Sequence, residues 1–192
     1  MSALSIWNMV LAVVAGYLIG SFPTGVLLAR VLKTEDPRQA GSGHTGGSNM
    51  WRLAGPVPGV VTGLVDLAKG ALVVWILLQI VPNGWMVPLA GTAAVAGHCW
   101  PIFADFRGGM GIATAAGLAL WFFPLLIPIF ALLYLLLNRF LRHQARSVML
   151  ISATIPLVLV ALGEPAAQLA LGIGISFVLI IRFAGDFHRV YE

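Results

Sequence analysis

Polar residues crowd into one short segment of a largely apolar chain. The ten residues from Ala40 to Asn49 include four glycines, two serines, a threonine, a histidine and an asparagine. Glycine lets main-chain N–H groups approach an anion, and hydroxyl and amide groups add further donors. A flexible linker is the alternative, but a linker would not need His44, Asn49 and Arg52 so close together. We therefore predict that this segment binds an anion, with Arg52 supplying charge.

A second polar segment runs from Gly97 to Thr114 and joins two apolar segments. Gly108, Gly109 and Gly111 come just before a predicted helix, so free N–H groups and the positive helix end would point to one place. This arrangement suits a phosphate, although the Gly-Lys-Ser/Thr element of a Walker motif is missing. A tight turn is the alternative, but it needs one or two glycines rather than three.

Ionisable residues also occur within or near the apolar segments. Asp66 and Lys69 are three residues apart on one helical face, so they either neutralise each other or serve a function. His98 lies near a predicted helix end, where it could orient a phosphate or act as a base near pH 7. We interpret His143, in an arginine-rich loop, as a solvated contact to lipid headgroups, and the single Cys99 as a small packing residue.

The composition sets the environment in which these residues must be positioned. The chain has 192 residues, of which 59% are hydrophobic and 9% charged, whereas soluble domains carry about 25% charged residues. Lipid must therefore be the main solvent, and long apolar runs select helices rather than a barrel. We attribute the net charge of +4 to cytoplasmic loops and anionic lipids, and predict no nucleic-acid partner.

Hydropathy alone divides the chain into six apolar segments. They are Leu4–Leu32, Val57–Val81, Trp85–Phe103, Ile112–Leu137, Val148–Leu162 and Ala166–Arg182. The fourth segment contains Pro124 and Pro128, and proline kinks or ends a helix. It is either one kinked helix or two helices that meet at Pro124.

The placement of basic residues favours two helices there. With seven spans, every Lys and Arg except the intrahelical Lys69 falls on one side of the membrane, as the positive-inside rule requires. We therefore predict an all-α bundle of seven transmembrane helices, with the N-terminus outside, the C-terminus in the cytoplasm and residues 1–192 in one membrane domain. The helix over Ile112–Phe123 is then short for a bilayer about 30 Å thick.

Two motifs resemble those of the bacterial acyl-phosphate:glycerol-3-phosphate acyltransferases. The segment from Gly41 to Asn49 is similar to Gly-Ser-Gly-Asn-x-Gly-x-Thr-Asn, with Arg52 where that motif has its arginine. The segment from Gly97 to Thr114 is similar to Gly-His-x-x-Pro-x-Phe-x-x-Phe-Lys-Gly-Gly-Lys-Gly-x-Ala-Thr, and Asp66-x-x-Lys-Gly70 also matches. The resemblance covers nearly the whole chain.

The resemblance implies a seven-helix enzyme of the bacterial inner membrane that needs neither acyl-CoA nor a metal or other cofactor. It implies acyl transfer from acyl phosphate to the 1-hydroxyl of glycerol 3-phosphate, giving lysophosphatidic acid. Ser42 and Arg52 would be the essential polar pair, with His98 or His44 as a base. The remaining predicted substrate contacts are Gly43, His44, Asn49, Lys69, Arg107, Gly108, Gly109, Gly111 and His188.

The chain departs from the family pattern at several of these positions. His44 replaces an asparagine, Ser48 a threonine, Arg107 a lysine and Met110 a second lysine. The C-terminal pattern His-x-Glu-Asn-x-Asn aligns only loosely with residues 183–188. Two alternatives therefore stay open: a paralogue that binds a phosphorylated or lipid ligand without this reaction or uses another acceptor, and a small transporter with glycine-interrupted helices.

Overall fold

The computed structural model describes residues 6–80 and 85–189, and every regular element in these ranges is a helix. Nine α-helices follow one another in the described ranges: α1 Ile6–Gly20, α2 Thr24–Leu32, α3 Gly47–Ala54, α4 Pro56–Ile80, α5 Met86–Cys99, α6 Ile112–Phe122, α7 Leu126–Leu141, α8 Gln144–Ala161 and α9 Ala166–Ala184. A short 3-10 turn, Ile102–Ala104, follows α5. The predicted segment ends at Leu4 and Val81 lie outside the described residues.

The helices are those of an integral membrane protein. Five helical stretches in the described ranges are long and apolar enough to cross a bilayer: Ile6–Leu32, Pro56–Ile80, Met86–Ala104, Gln144–Ala161 and Ala166–Ala184. Two shorter apolar helices, α6 and α7, lie between the third and fourth of these. Large hydrophobic side chains such as Leu125 and Phe140 are mostly exposed on the surface of the bundle, as expected where lipid is the solvent.

Prolines end helices at two places in the apolar sequence. The chain breaks between α6 and α7 around Pro124, so the fourth hydropathy segment is two helices, as the charge placement favours. The first segment is also interrupted, because its α-helix stops at Gly20 and resumes at Thr24 after Pro23.

Glycines bring the backbones of neighbouring helices close together. A Cβ at Gly16 or Gly20 would meet the main chain of Ala90 or Ala94 on α5, and a Cβ at Gly70 would meet the carbonyl of Thr114 on α6. Small residues at helix contacts allow such a close approach of backbones in membrane proteins. They join α1 and α4 to the two helices that flank the second glycine-rich segment.

Candidate active site

One large cavity opens between the polar loops and the helices. Its volume is about 900 Å³, and most of its lining is apolar. Along α8 it is lined from Gln144 to Leu159, a distance of about 22 Å at about 1.5 Å rise per residue. The cavity can therefore hold a polar group at one end and a long apolar chain at the other.

We define the first loop as residues 41–49, the last three of which are the first turn of α3, and it forms the polar end of this cavity. Ser42, Gly46, Gly47 and Ser48 line the cavity, together with Arg52 from α3. Gly41 and Gly43 have φ angles of 60° and 75°, a conformation that glycine adopts without strain. The sharp turns at these two glycines allow the loop to fold back on itself at the cavity.

Asn49 holds the first loop in shape from the inside. Its side chain is 2% exposed, and its Nδ2 donates to the carbonyls of Pro37, Ala40 and His44 at 3.0, 3.0 and 2.9 Å. Its Oδ1 accepts from the N–H of Ser42 at 2.9 Å. The amide of Asn49 is therefore engaged by the loop on both of its polar atoms.

We define the second loop as residues 107–111, and its first two glycines face the protein rather than the cavity. Gly108 and Gly109 are buried, and the N–H of Gly109 donates to the carbonyl of His98 at 3.1 Å. A Cβ on Gly109 would meet the His98 ring, and a Cβ on Gly108 would meet the His98 carbonyl. Only Met110 and Gly111, at the start of α6, line the cavity.

Arg182, near the end of α9, binds both loops. Its Nε donates to the carbonyl of Gly109 at 2.8 Å and its Nη2 to that of Gly108 at 3.1 Å. The same Nη2 lies 3.0 Å from Nδ1 of His44. Nε2 of His44 lies 2.8 Å from Oδ2 of Asp186. Burial and the positive charge of Arg182 lower the pKa of His44.

Asp66 lies at the centre of a buried polar cluster beside the cavity. Its Oδ1 is 3.0 Å from Nζ of Lys69, 3.6 Å from Nδ1 of His98, and accepts from the Thr24 hydroxyl at 3.2 Å. Lys69 Nζ also donates to the carbonyl of Phe22 at 3.2 Å. Asp66 and His98 both line the cavity. Thus Asp66 and Lys69 form an ion pair, and Asp66 also lies beside a cavity histidine.

The structure brings some of the predicted site residues to the cavity and leaves others away from it. Among the described residues, the predicted positions that line the cavity are Ser42, His44, Asn49, Arg52, His98 and Gly111. The predicted positions that do not are Gly43, Lys69, Arg107, Gly108, Gly109 and His188. Arg107 and His188 are exposed on the surface.

Two other sequence interpretations have clear outcomes. His143 is 7% exposed, so the prediction that it is solvated is wrong; the ring caps α8, where its Nδ1 accepts from the N–H of Arg146 at 3.4 Å. Cys99 is fully buried in the core, which confirms its packing role. No cluster of three or more His, Cys, Asp or Glu side chains placed to hold a metal occurs in residues 6–80 and 85–189.

Sequence reasoning did not single out Arg182, and it named Asp186 only as part of a polar tail. Arg182 is the one basic residue of the last apolar segment. An ionisable residue in such a segment is costly and indicates a specific partner. That signal could have identified Arg182, but it could not have identified the partner.

The chain is similar to known proteins over nearly its whole length. Residues 10–192 match the family model described as glycerol-3-phosphate acyltransferase. Proteins of that name from Syntrophotalea carbinolica and Pseudomonas aeruginosa are 37% and 38% identical; the alignments cover 92% and 83% of this chain and 90% and 84% of theirs.

Solved structures show the same fold. The crystal structure of PlsY, an integral membrane glycerol 3-phosphate acyltransferase, in its glycerol 3-phosphate form superimposes with a TM-score of 0.83 at 29% identity, covering 95% of this chain and 91% of that one. Its lysophosphatidic acid form gives a TM-score of 0.82 at 28% identity, with the same coverage. The family resemblance predicted from the motifs is thereby confirmed.

Proposed function

This chain belongs to the glycerol-3-phosphate acyltransferase family, and we propose that it transfers a fatty acyl group from acyl phosphate to glycerol 3-phosphate. It is a membrane acyltransferase of phospholipid synthesis, as its family and fold require. The observation that carries the specific reaction is the cavity with a polar end at Ser42 and Arg52 and an apolar end among α6 to α9. Such a cavity suits the acyl chain of the donor and the phosphate group of the acceptor.

The reaction asks for positioning more than for covalent catalysis. The acceptor hydroxyl oxygen bonds to the acyl carbonyl carbon, the bond from that carbon to the phosphate oxygen breaks, and inorganic phosphate leaves. Phosphate is a good leaving group, so orientation of the hydroxyl and stabilisation of the developing negative charge supply most of the acceleration. We assign the charge stabilisation to Arg52 and the Ser42 hydroxyl, which line the polar end of the cavity.

His98 is our candidate for the group that accepts the hydroxyl proton. It lines the cavity and is 5% exposed, and its Nδ1 lies 3.6 Å from Oδ1 of Asp66, which is longer than a hydrogen bond. The negative charge of Asp66 favours a proton on this nearer nitrogen and leaves Nε2, on the Gly109 side of the ring, as the acceptor. Gly111 and the first turn of α6 border the same space, where the helix dipole favours a phosphate.

The other predicted substrate contacts fit indirect roles better. Asn49 shapes the first loop, and Lys69 neutralises Asp66. Gly108 and Gly109 allow the second loop to pack against His98. Gly43 serves as a turn residue beside Ser42. For Arg107 and His188, both exposed, we propose contact with the charged headgroups of membrane lipids.

We further propose that seven helices cross a bacterial inner membrane as one domain, with the N-terminus outside. The spans would be the stretch from α1 to α2, then α4, α5 and the four helices from α6 to α9. Two of these helices are short, α6 at about 16 Å and α7 at about 24 Å. The buried face of α6 packs closely on α4, where a Cβ at Gly117 would meet the Leu67 carbonyl. Modification of single cysteines placed at residues 107, 142 and 164 in intact cells would test this, since the first two should be reached only from the cytoplasm.

A phosphate-release assay tests the proposed reaction. Purified protein in detergent is given acyl phosphate and glycerol 3-phosphate, and release of inorganic phosphate is compared with that of Ser42→Ala and with reactions lacking the acceptor. We expect acceptor-dependent release by the parent and at least about 100-fold less by the variant. Acceptor-independent release, or none at all, would contradict the proposal.

One observation favours a second candidate, an acyltransferase with another acceptor. Met110 lines the cavity where the family pattern has a lysine, so the polar end has one cation fewer. An acceptor with less negative charge would lose less electrostatic attraction to the protein when this lysine is absent. A panel of phosphorylated and unphosphorylated alcohols in the same assay decides, and a preference for glycerol 3-phosphate excludes this candidate.

A further inference from the structure

Two departures from the family pattern, 142 residues apart in sequence, meet in the structure. His44, in the first loop, stands where the pattern has an asparagine, and Asp186 lies in the C-terminal segment that aligns only loosely with it. Nε2 of His44 and Oδ2 of Asp186 are 2.8 Å apart, and their side chains are 12% and 9% exposed. The two changes therefore create one buried contact between the loop and the tail.

The partners of His44 fix the protonation of its ring. A guanidinium only donates hydrogen bonds, so Nδ1 of His44 must accept from Nη2 of Arg182 at 3.0 Å. The remaining proton then sits on Nε2 and is donated to the Asp186 carboxylate. His44 is thus a neutral imidazole, consistent with a pKa lowered by burial and by Arg182. Both ring nitrogens are engaged by α9 and its C-terminal extension.

Arg182 extends this contact to the second loop. The guanidinium that donates to His44 also donates to the carbonyls of Gly108 and Gly109. The N–H of Thr45, next to His44, donates to the Gly108 carbonyl at 3.4 Å. The guanidinium of Arg182 therefore joins the first loop, the second loop and α9, which are far apart in sequence.

The first loop carries this restraint to the cavity. The His44 carbonyl accepts from Asn49, and Asn49 in turn accepts from the N–H of Ser42. Ser42 precedes His44 and Arg52 follows Asn49 in the sequence, and both line the polar end of the cavity. Movement of His44 would therefore displace the groups that face the phosphate of the acceptor.

We propose that His44, Arg182 and Asp186 form a positioning unit that sets the affinity of the cavity for its phosphate-bearing acceptor. The unit acts through the first loop and takes no proton from the substrate. The identity of the acceptor rests on the proposed function; the existence of the unit does not. Because the three residues act together, removing two of them costs little more than removing one.

The test compares two replacements of His44. Gln can donate to Asp186 and accept from Arg182, whereas Leu can do neither. We expect His44→Leu to raise KM for glycerol 3-phosphate about ten-fold or more, with less than about three-fold change in kcat and in KM for acyl phosphate. His44→Gln should stay within about three-fold of the parent on all three constants.

A double-variant cycle tests whether the residues act as a unit. Asp186→Ala should raise KM for glycerol 3-phosphate, as His44→Leu does. The KM of the double variant should exceed that of His44→Leu by no more than about two-fold. Arg182→Lys, which keeps the charge but loses the planar fork, should also raise KM. Arg139→Lys, at an exposed position on α7, is its matched control and should leave KM unchanged.

The outcomes separate this inference from the proposed function. Phosphate release by the parent decides the function; if the parent releases none, the same cycle is measured as binding of glycerol 3-phosphate to the detergent-solubilised protein. Additive effects, equal damage by Gln and Leu, or a lower unfolding temperature with an unchanged KM or affinity would overturn the inference. Nitrogen-15 NMR of labelled histidines gives a readout that needs no turnover, because His44 must show the neutral Nε2–H form.

Discussion

The two glycine-rich loops have similar compositions but different surroundings. The first loop turns its Ser42, Gly46 and Gly47 toward the cavity, whereas the second buries Gly108 and Gly109 against His98 and Arg182. Both sequences predict N–H groups free to bind an anion. The difference shows that a run of glycines reports close approach of a backbone, and that the approaching group can be a ligand or another part of the protein.

The largest expected difference between the loops concerns their arginines. Both arginines are exposed, but Arg52 lines the cavity beside the first loop, while Arg107 of the second loop lies outside it. We expect Arg52→Leu to lower kcat/KM at least about 100-fold, because a charge-assisted contact to the phosphate is lost at the polar end of the cavity. In the same phosphate-release assay, the factor by which Arg107→Leu lowers kcat/KM should be at least ten-fold smaller than that for Arg52→Leu. Equal losses would mean that the second loop also contacts substrate.

A second comparison uses the glycines themselves. Gly109→Ala places a methyl group against the His98 ring, whereas a Cβ at Gly46 meets nothing within 4 Å. We expect Gly109→Ala to destabilise the protein by about 1–3 kcal/mol through overpacking, and Gly46→Ala by much less. Unfolding temperatures in detergent measure both, and the same temperature for the two variants would contradict the steric argument.

A cation restored to the second loop should have a smaller, positive effect. Met110 lines the cavity at the start of α6, so Met110→Lys places an ammonium at its polar end. We expect kcat/KM for glycerol 3-phosphate to rise about three- to ten-fold, since a charged hydrogen bond is gained but the lysine must be ordered. Met110→Leu is the control and should stay near the parent; a lysine variant no better than the leucine variant would show that the phosphate does not reach this loop.

The smallest expected effect is on the pH dependence of stability. The pKa of His44 is lowered by burial first and by Arg182 second, against the opposing pull of Asp186. The folded state therefore prefers neutral His44, and stability is complete above the unfolded pKa of about 6.5 and declines as pH falls below it. The unfolding temperature should drop less between pH 7 and pH 5.5 in His44→Gln than in the parent. An identical drop in both proteins would show that His44 does not contribute.

Parts of this site could be predicted because the signals are local in sequence. Ser42 and Arg52 belong to one motif on the first loop and the following helix, and both line the cavity. Gly111 was predicted to precede a helix, and it is the residue before α6. In each case the residues that define the feature lie within about ten positions of one another, so spacing alone carries the information.

Other parts could not be predicted because the partners are distant in sequence. Nothing near Gly108 indicates that its carbonyl accepts from Arg182, 74 residues later. Likewise, nothing near His143 in the sequence indicates burial, since the segment is rich in arginine. Its ring packs against that of Phe187, with 6.4 Å between the ring centroids. Charge and spacing therefore predicted that His143 is solvated, whereas the fold buries it.

Composition and motifs were enough to predict that the chain lies in lipid, that it is helical, that proline separates α6 from α7 and that it belongs to a known acyltransferase family. These properties depend on composition, on local backbone restrictions and on ordered motifs, all of which can be read along the chain. Helix packing was needed to show which glycine-rich loop faces the cavity and that His44 contacts Asp186. Those results depend on which surfaces come together when the helices pack, and side-chain hydrogen bonds across 142 residues leave no periodic or local signal in the sequence.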